Sequence, residues 1–231
     1  MQKRRLLYII VALLLLLCML GGCTLGKGKE QEKKEVDYLI GVVGDNAPFY
    51  YEEKDGSPKG YYADFVSTLS EKYSFTYEFV SVESSTCKES LSNNEIDAFI
   101  GDFVTETGEE STFLESKSFY TSKICVLSAP DSNIRTLKDI KGKTVSAISG
   151  AEEEHAAKYL ANKYKGQSIT FSSVKEALGD IEEGRSQVLV IDVDYYKSHE
   201  SIFKNWIYLK ELGQFQNKHK LFTTKNNNLI H

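Results

Sequence analysis

SNNEIDAFIGDFVTETGEESTFLESKSFY, residues 92–120, is the stretch whose reading decides the fold. Asn93 and Asn94 give a turn signal ahead of a short apolar run, residues 96–100, which reads as a buried strand. From 102 to 115 the chain carries Asp102, Glu106, Glu109, Glu110 and Glu115 without a Lys or Arg. A loop leaving the end of a buried strand is where α/β proteins place ligand-binding groups, so these acids are candidates for a site. Composition alone reads the same acids as a solvated loop.

Towards the N-terminus, residues 37–43 (DYLIGVV) and 76–82 (TYEFVSV) are predicted strands. Between them, Tyr62, Phe65, Val66, Leu69 and Tyr73 fall on one face of a helix over 61–73. Residues 49–51 are predicted as a short strand turned by Asp55-Gly56 and Pro58, and Ser84 or Ser85 as the cap of a helix reaching about residue 91. Beyond residue 120, strands are predicted at 122–128, 143–147, 168–171 and 187–192, with helices at 151–163 and 173–183, the latter ended by Gly184. Residues 207–209 and 220–223 are the last predicted strands. Two β/α series favour mostly parallel sheets. They imply two lobes, 37–127 with a return segment 213–231, and 128–212, with a small-molecule cleft between them. One continuous doubly wound sheet is the alternative.

The N-terminus carries a different signal. Lys3, Arg4 and Arg5 precede an apolar run over 6–20, then Gly21, Gly22 and Cys23, the pattern of a secretory signal over residues 1–22. Leu20-Gly21-Gly22-Cys23 also looks like a bacterial lipobox, in which the Cys23 thiol is lipidated. An uncleaved anchor helix is the alternative, though the run is short of the ~20 apolar residues that a span needs. Residues 23–36 are polar and rich in Gly and Lys, a flexible tether. These features predict a lipid-anchored protein on the extracytoplasmic face of the cell membrane. Without residues 1–22 the chain has 25 basic against 33 acidic residues, net −8, which argues against a nucleic-acid partner. Cys87 and Cys125 then remain, predicted as buried free thiols rather than a disulfide.

Several segments together resemble the family 3 extracellular solute-binding proteins, the amino-acid-binding subunits of bacterial ABC importers. The resemblance rests on Ile40-Gly41, on Pro48-Phe49, on Gly60-Tyr61-Tyr62-Ala63-Asp64, and on Ile96-Asp97 through to Tyr120. In the second series it rests on residues 137–145 (LKDIKGKTV), Gly150, Gly184-Arg185 and the strand ending at Asp192. It implies an α/β fold of two lobes, the type II periplasmic-binding-protein architecture, hinged to close on a ligand. It also implies a further first-lobe helix starting near Asn227 or Asn228, most of which this sequence lacks.

The ligand positions depart from the family pattern. The Arg that grips a substrate carboxylate falls on Glu109, and no Arg lies between Arg5 and Arg135. Two further positions fall on Asp102 and Val104, the Gly-Thr-Thr turn reads Gly150-Ala151-Glu152, and the covering aromatic falls on Asn46. Asp192 matches the acid that accepts a ligand's α-ammonium. The candidate ligand-binding set is Asn46, Ser84, Asp102, Val104, Glu109, Gly150, Glu152 and Asp192. Asp102, Glu109, Glu152 and Asp192 in one cleft would repel a carboxylate by ~1–4 kcal/mol per close pair and welcome a cation.

No enzyme motif competes. Residues 141–144 (KGKT) lack the earlier glycine of a phosphate loop, where Leu137 stands, and Glu152 with His155 forms one helical pair without further ligands. His199, His219 and His231 form no recognisable constellation. The expected function is a monomeric, non-catalytic binder of a small amino-acid-like or cationic amine solute, without cofactor or metal, serving an ABC permease. A sensor input module, a lytic transglycosylase domain or a dehydratase is the alternative on the same lobes.

Overall fold

The computed structural model describes residues 36–104 and 113–224. Its main sheet has nine strands, in the order β4-β1-β5-β11-β7-β10-β8-β9, with β6 paired to β11. The first half is built from β1 (Tyr38–Val42), β4 (Tyr77–Ser81) and β5 (Ala98–Gly101), all parallel. The second is built from β8 (Thr144–Ile148), β9 (Gln167–Phe171) and β10 (Val188–Asp192), again parallel. Two antiparallel strands join the halves: β7 (Tyr120–Ser128) and β11 (Ile207–Thr224). β11 pairs with β5 and with β6 (Phe113–Glu115) at its end, whereas β7 pairs with β10. The fold is therefore the two-lobed α/β architecture, and both crossings run inside the sheet. β7, assigned by sequence to the first lobe, hydrogen-bonds to the second through β10.

Helices cover both faces, leaving four apolar clusters. In the first half, α1 (Tyr61–Tyr73) sets Tyr62 and Val66 against Ile40, Val42 and Ile100, while α2 (Cys87–Ser92) sets Cys87 and Leu91 against Phe99, Phe103 and Phe222. In the second, α3 (Glu152–Tyr164) packs Ala156, Ala157 and Leu160 on Val126, Val145 and Val190. On the far face α4 (Val174–Glu182) packs Ala177 and Ile181 on Leu127 and Leu189, with Phe203 of α6 (Glu200–Phe203) alongside. Cys87 and Cys125 are buried in separate clusters as free thiols.

Local chemistry explains the helix ends. Gly60 begins α1 at φ 98°, and a Cβ there would stand 2.6 Å from the Phe49 carbonyl oxygen, so only glycine lets the helix start against the 48–49 backbone. Ser173 caps α4 by accepting from the Glu176 N–H, and Asp192 caps α5 (Val193–Ser198).

Some boundaries differ from expectation. Residues 207–209 and 220–223 belong to one 18-residue strand, carried through its polar middle by pairing with β7 across two register shifts. The short early strand is a hairpin, β2 (Tyr51–Glu52) with β3 (Pro58–Lys59). Tyr73 is 64% exposed rather than part of the α1 core face, because α1 ends there and turns at Ser74 into the left-handed region. Thr86, not Ser84 or Ser85, precedes α2.

Candidate functional site

Two neighbouring cavities share Asp102, which leaves β5 at the centre of the cleft. The first, about 260 Å³, is lined among others by Asn46, Ser84, Asp102, Glu153, Asp192 and Tyr195. Among the described residues its acids are Asp45, Asp102, Glu153 and Asp192, and its one basic lining side chain is Lys175, which is exposed. The second, about 350 Å³, is more polar and includes Val104, Glu152, Lys218 and Lys220.

The halves touch at the edge of the cleft. Val104 N–H donates to the Gly150 carbonyl at 2.9 Å, and Ser198 Oγ donates to the Ala47 carbonyl at 2.8 Å. Gly150, at φ 82°, brings its Cα so close to the first half that an added Cβ would stand 3.2 Å from the Ser84 carbonyl oxygen.

Beneath the first cavity lies a buried polar chain built largely on the two crossing strands. Asp192 Oδ1 accepts from the Asp194 N–H (2.7 Å) and the Tyr195 N–H (3.2 Å). Its Oδ2 accepts from Ser122 Oγ and from Asn217 Nδ2, the latter at 2.9 Å. Because Ser122 gives its proton to Asp192, it accepts from His219 Nε2 (2.9 Å), leaving His219 Nδ1 to accept from the Tyr62 hydroxyl (2.5 Å). The proton order therefore runs one way from α1 in the first half to β10 in the second. Burial holds His219 down to about 4, so its ring is neutral at physiological pH, and burial also pushes the Tyr62 phenol well above its ordinary value. Nearby, Tyr120 donates to Asp194 Oδ2 at 2.7 Å, which raises its own phenol to about 12.

Glu153 completes the set. It is 4% exposed, and Oε1 accepts from Asn217 Nδ2 at 2.8 Å. Desolvation first, then the nearby Asp102 and Asp192 carboxylates, push its carboxyl well above the usual range. Desolvation likewise moves Asp102 up to about 6, and Asp192 upward against the pull of its hydrogen bonds. Three acids with raised pKa values in one cleft, with no basic side chain bonded to them among the described residues, are the electrostatic signature of a candidate binding site.

The sequence-predicted residues divide accordingly. Asn46, Ser84, Asp102 and Asp192 line the first cavity; Val104 and Glu152 join Asp102 in the second; Gly150 forms the contact between halves. Glu109 and Cys23 lie outside the described residues. The expected meeting of Glu152 with Asp102 and Asp192 in one cavity is replaced by one with Glu153. α3 begins at Glu152, so its 100° step per residue turns Glu152 towards His155 (3.2 Å) and places Glu153 on the face of Ala156, Ala157 and Leu160. That spacing was present in the sequence as an acid on an apolar helical stripe. His219, set aside on sequence, joins Asn217 as a buried polar pair, two residues apart on one face of β11. Glu115 meets Lys220 from β11 at 2.5 Å.

Comparison with known proteins agrees with this architecture. The chain is 26% identical over 180 residues to the arginine-binding extracellular protein ArtP of Bacillus subtilis, covering 76% of this chain and 69% of that one. It is 27% identical over 199 residues to the L-cystine-binding protein TcyJ of the same organism, covering 82% and 72%. Among solved structures, an ancestral arginine-binding protein bound to arginine superposes with a TM-score of 0.70 at 18% identity, over 82% of this chain and 85% of that one. The substrate-binding protein of an amino acid ABC transporter gives 0.71 at 21% identity, over 82% and 85%. The profile of the bacterial extracellular solute-binding proteins, family 3, matches residues 38–228, and the chain belongs to that family.

Proposed function

We propose that this family member captures a small solute bearing an exposed positive charge, an amino acid with a cationic side chain or a simple amine, and presents it unchanged to an ABC permease. The observation that carries the reading is the composition of the first cavity: Asp102, Glu153 and Asp192 gather there, and among the described residues the one basic side chain lining it is exposed Lys175. A cation entering such a site gains attraction that the low local dielectric strengthens, whereas an anion meets repulsion. The similarity to an arginine-binding relative supports the same charge preference. The cavity volume suits one such molecule rather than a peptide.

Thermal shift with L-arginine, putrescine, L-cystine and L-glutamate tests the charge preference. A true ligand at one hundred times its dissociation constant stabilises by about 2.7 kcal/mol. The cations are expected to raise the melting temperature and glutamate to leave it unchanged; the reverse pattern overturns the reading.

We further propose that Cys23 carries a lipid that holds the protein on the outer face of the membrane, a reading supported by Leu20-Gly21-Gly22 before it and the basic residues at 3–5. Cys23→Ala should move the protein from the membrane fraction to the soluble fraction of cells expressing it. Retention in the membrane fraction would refute lipid anchoring through this thiol.

A further inference from the structure

We infer that Glu153, rather than Asp192, receives the cationic group of the solute, and that this group enters in exchange for a proton. The inference rests on the functional reading above and specifies which acid performs it.

The two acids differ in what they have left to offer. Asp192 already meets four donors: the N–H groups of Asp194 and Tyr195, the Ser122 hydroxyl and the Asn217 amide. An ionised carboxylate has about four acceptor positions, so Asp192 is fully occupied in the closed site. Its role is structural: it caps α5 and anchors the chain that runs back to Tyr62. Glu153 is the opposite case. Its Oε1 meets Asn217, but Oε2 is buried without a partner. Asn217, fully buried, gives its N–H donors to Glu153 and Asp192 and leaves its own Oδ1 unpartnered. Asn217 Oδ1 is an acceptor and Glu153 Oε2 becomes one when its carboxyl is ionised, so the ionised site lacks a donor among the described residues, and one with positive charge would also balance the acids around it.

The groups about Glu153 are mainly acidic: Asp45 lines the same cavity, and the basic lining side chain, Lys175 of α4, is exposed. Asp102 faces it from the end of β5 and Asp192 from β10, with Cys125 on β7 and Tyr62 on α1 also within electrostatic reach. β11 supplies Asn217 and the neutral His219, and its Lys218 and Lys220 line the second cavity, where Lys220 is bonded to Glu115. On α3 itself, Glu154 is paired with Lys158 and Glu152 with His155. Burial and the neighbouring acids hold the empty Glu153 carboxyl towards its neutral form. When an ammonium or guanidinium group arrives, its N–H donates to Oε2, the carboxyl proton leaves to solvent, and the pair left behind is a carboxylate with a cation. Charge in the site is conserved, since one positive charge enters and one proton departs.

Calorimetric titration of the full chain in detergent with L-arginine and with putrescine, in buffers of different ionisation enthalpy at one pH, reads the proton directly. Wild-type protein is expected to release a substantial fraction of one proton per cation bound. Glu153→Gln should weaken binding about tenfold or more and abolish the release, while Asp102→Asn should retain it. Unchanged affinity in Glu153→Gln, or release that persists in it, overturns the assignment while leaving the functional reading intact. A wild-type protein that binds neither probe overturns that reading as well, and this inference with it.

Discussion

Asp192→Asn is expected to lower the unfolding free energy by about 2–4 kcal/mol, although the two side chains have nearly the same volume. The carboxylate accepts from the two N–H groups of α5 through Oδ1, and from Ser122 and Asn217 through Oδ2. Asparagine has one acceptor oxygen. With its NH₂ towards α5 it faces two backbone donors; with its NH₂ towards β11 it faces the NH₂ of Asn217. Turning Asn217 over lets its carbonyl accept from the new NH₂ and from the protonated Glu153 carboxyl, but the Ser122 hydroxyl, already accepting from His219, then faces that NH₂ with no acceptor for its own proton. Each orientation leaves buried donors or acceptors opposed. Urea unfolding at neutral pH measures the loss. A change below about 1 kcal/mol would show that the network relaxes freely around the amide.

The ligand-free protein is expected to be most stable in mildly acidic solution and to lose stability as the pH rises beyond about 6.5. Glu153 and Asp102 have folded values raised above their unfolded ones, so the folded chain holds more protons and stability falls as pH increases through that window. His219, lowered to about 4, acts oppositely: it charges first in the unfolded chain, so stability falls as the pH drops from about 6.5 towards 4. Between those limits the acids and the histidine offset one another. Above about 6.5, His219 is neutral in both states and Asp102 has largely titrated, so the remaining slope belongs to the other raised acids, Glu153 with Asp192, at up to about 1.4 kcal/mol per pH unit for each. Denaturation curves at pH 6.5 and 7.5 test this, with Glu153→Gln expected to flatten the decline. Equal slopes in the two proteins would assign the effect to another group.

Much of the fold was legible because it depends on local periodicity. The helix over 61–73 and the alternation of strands with helices follow from apolar spacing and turn residues, and the order of segments carried the two-lobed reading. What was less legible depends on distant pairing. β11 reads as two strands because its middle is polar, and only its partner β7 shows the segment to be continuous. In the site, Asp102 and Asp192 stand out because each ends an apolar strand. Glu153 was hidden between two other glutamates, and separating it from Glu152 required the exact start of α3, the least certain feature of a helix read from sequence. Asn217 and His219 acquire meaning through Glu153 and Tyr62, which lie 64 and 157 residues from them respectively. Glu109, on which the charge argument first turned, lies outside the described residues, and the acidic character of the cleft rests instead on Glu153 with Asp102 and Asp192.

The contacts between the two halves have a kinetic consequence. With Val104 held to Gly150 and Ser198 to Ala47, the described form is one in which the lobes are already latched. If a solute must enter through a form in which these bonds are broken, the rate of capture scales with the fraction of time the protein spends unlatched. The bonds then act on both sides of the exchange: they slow departure of a bound solute and tax its arrival. The acidic cleft compensates on the arrival side by drawing cations towards the opening through solution, an advantage that fades as ionic strength rises.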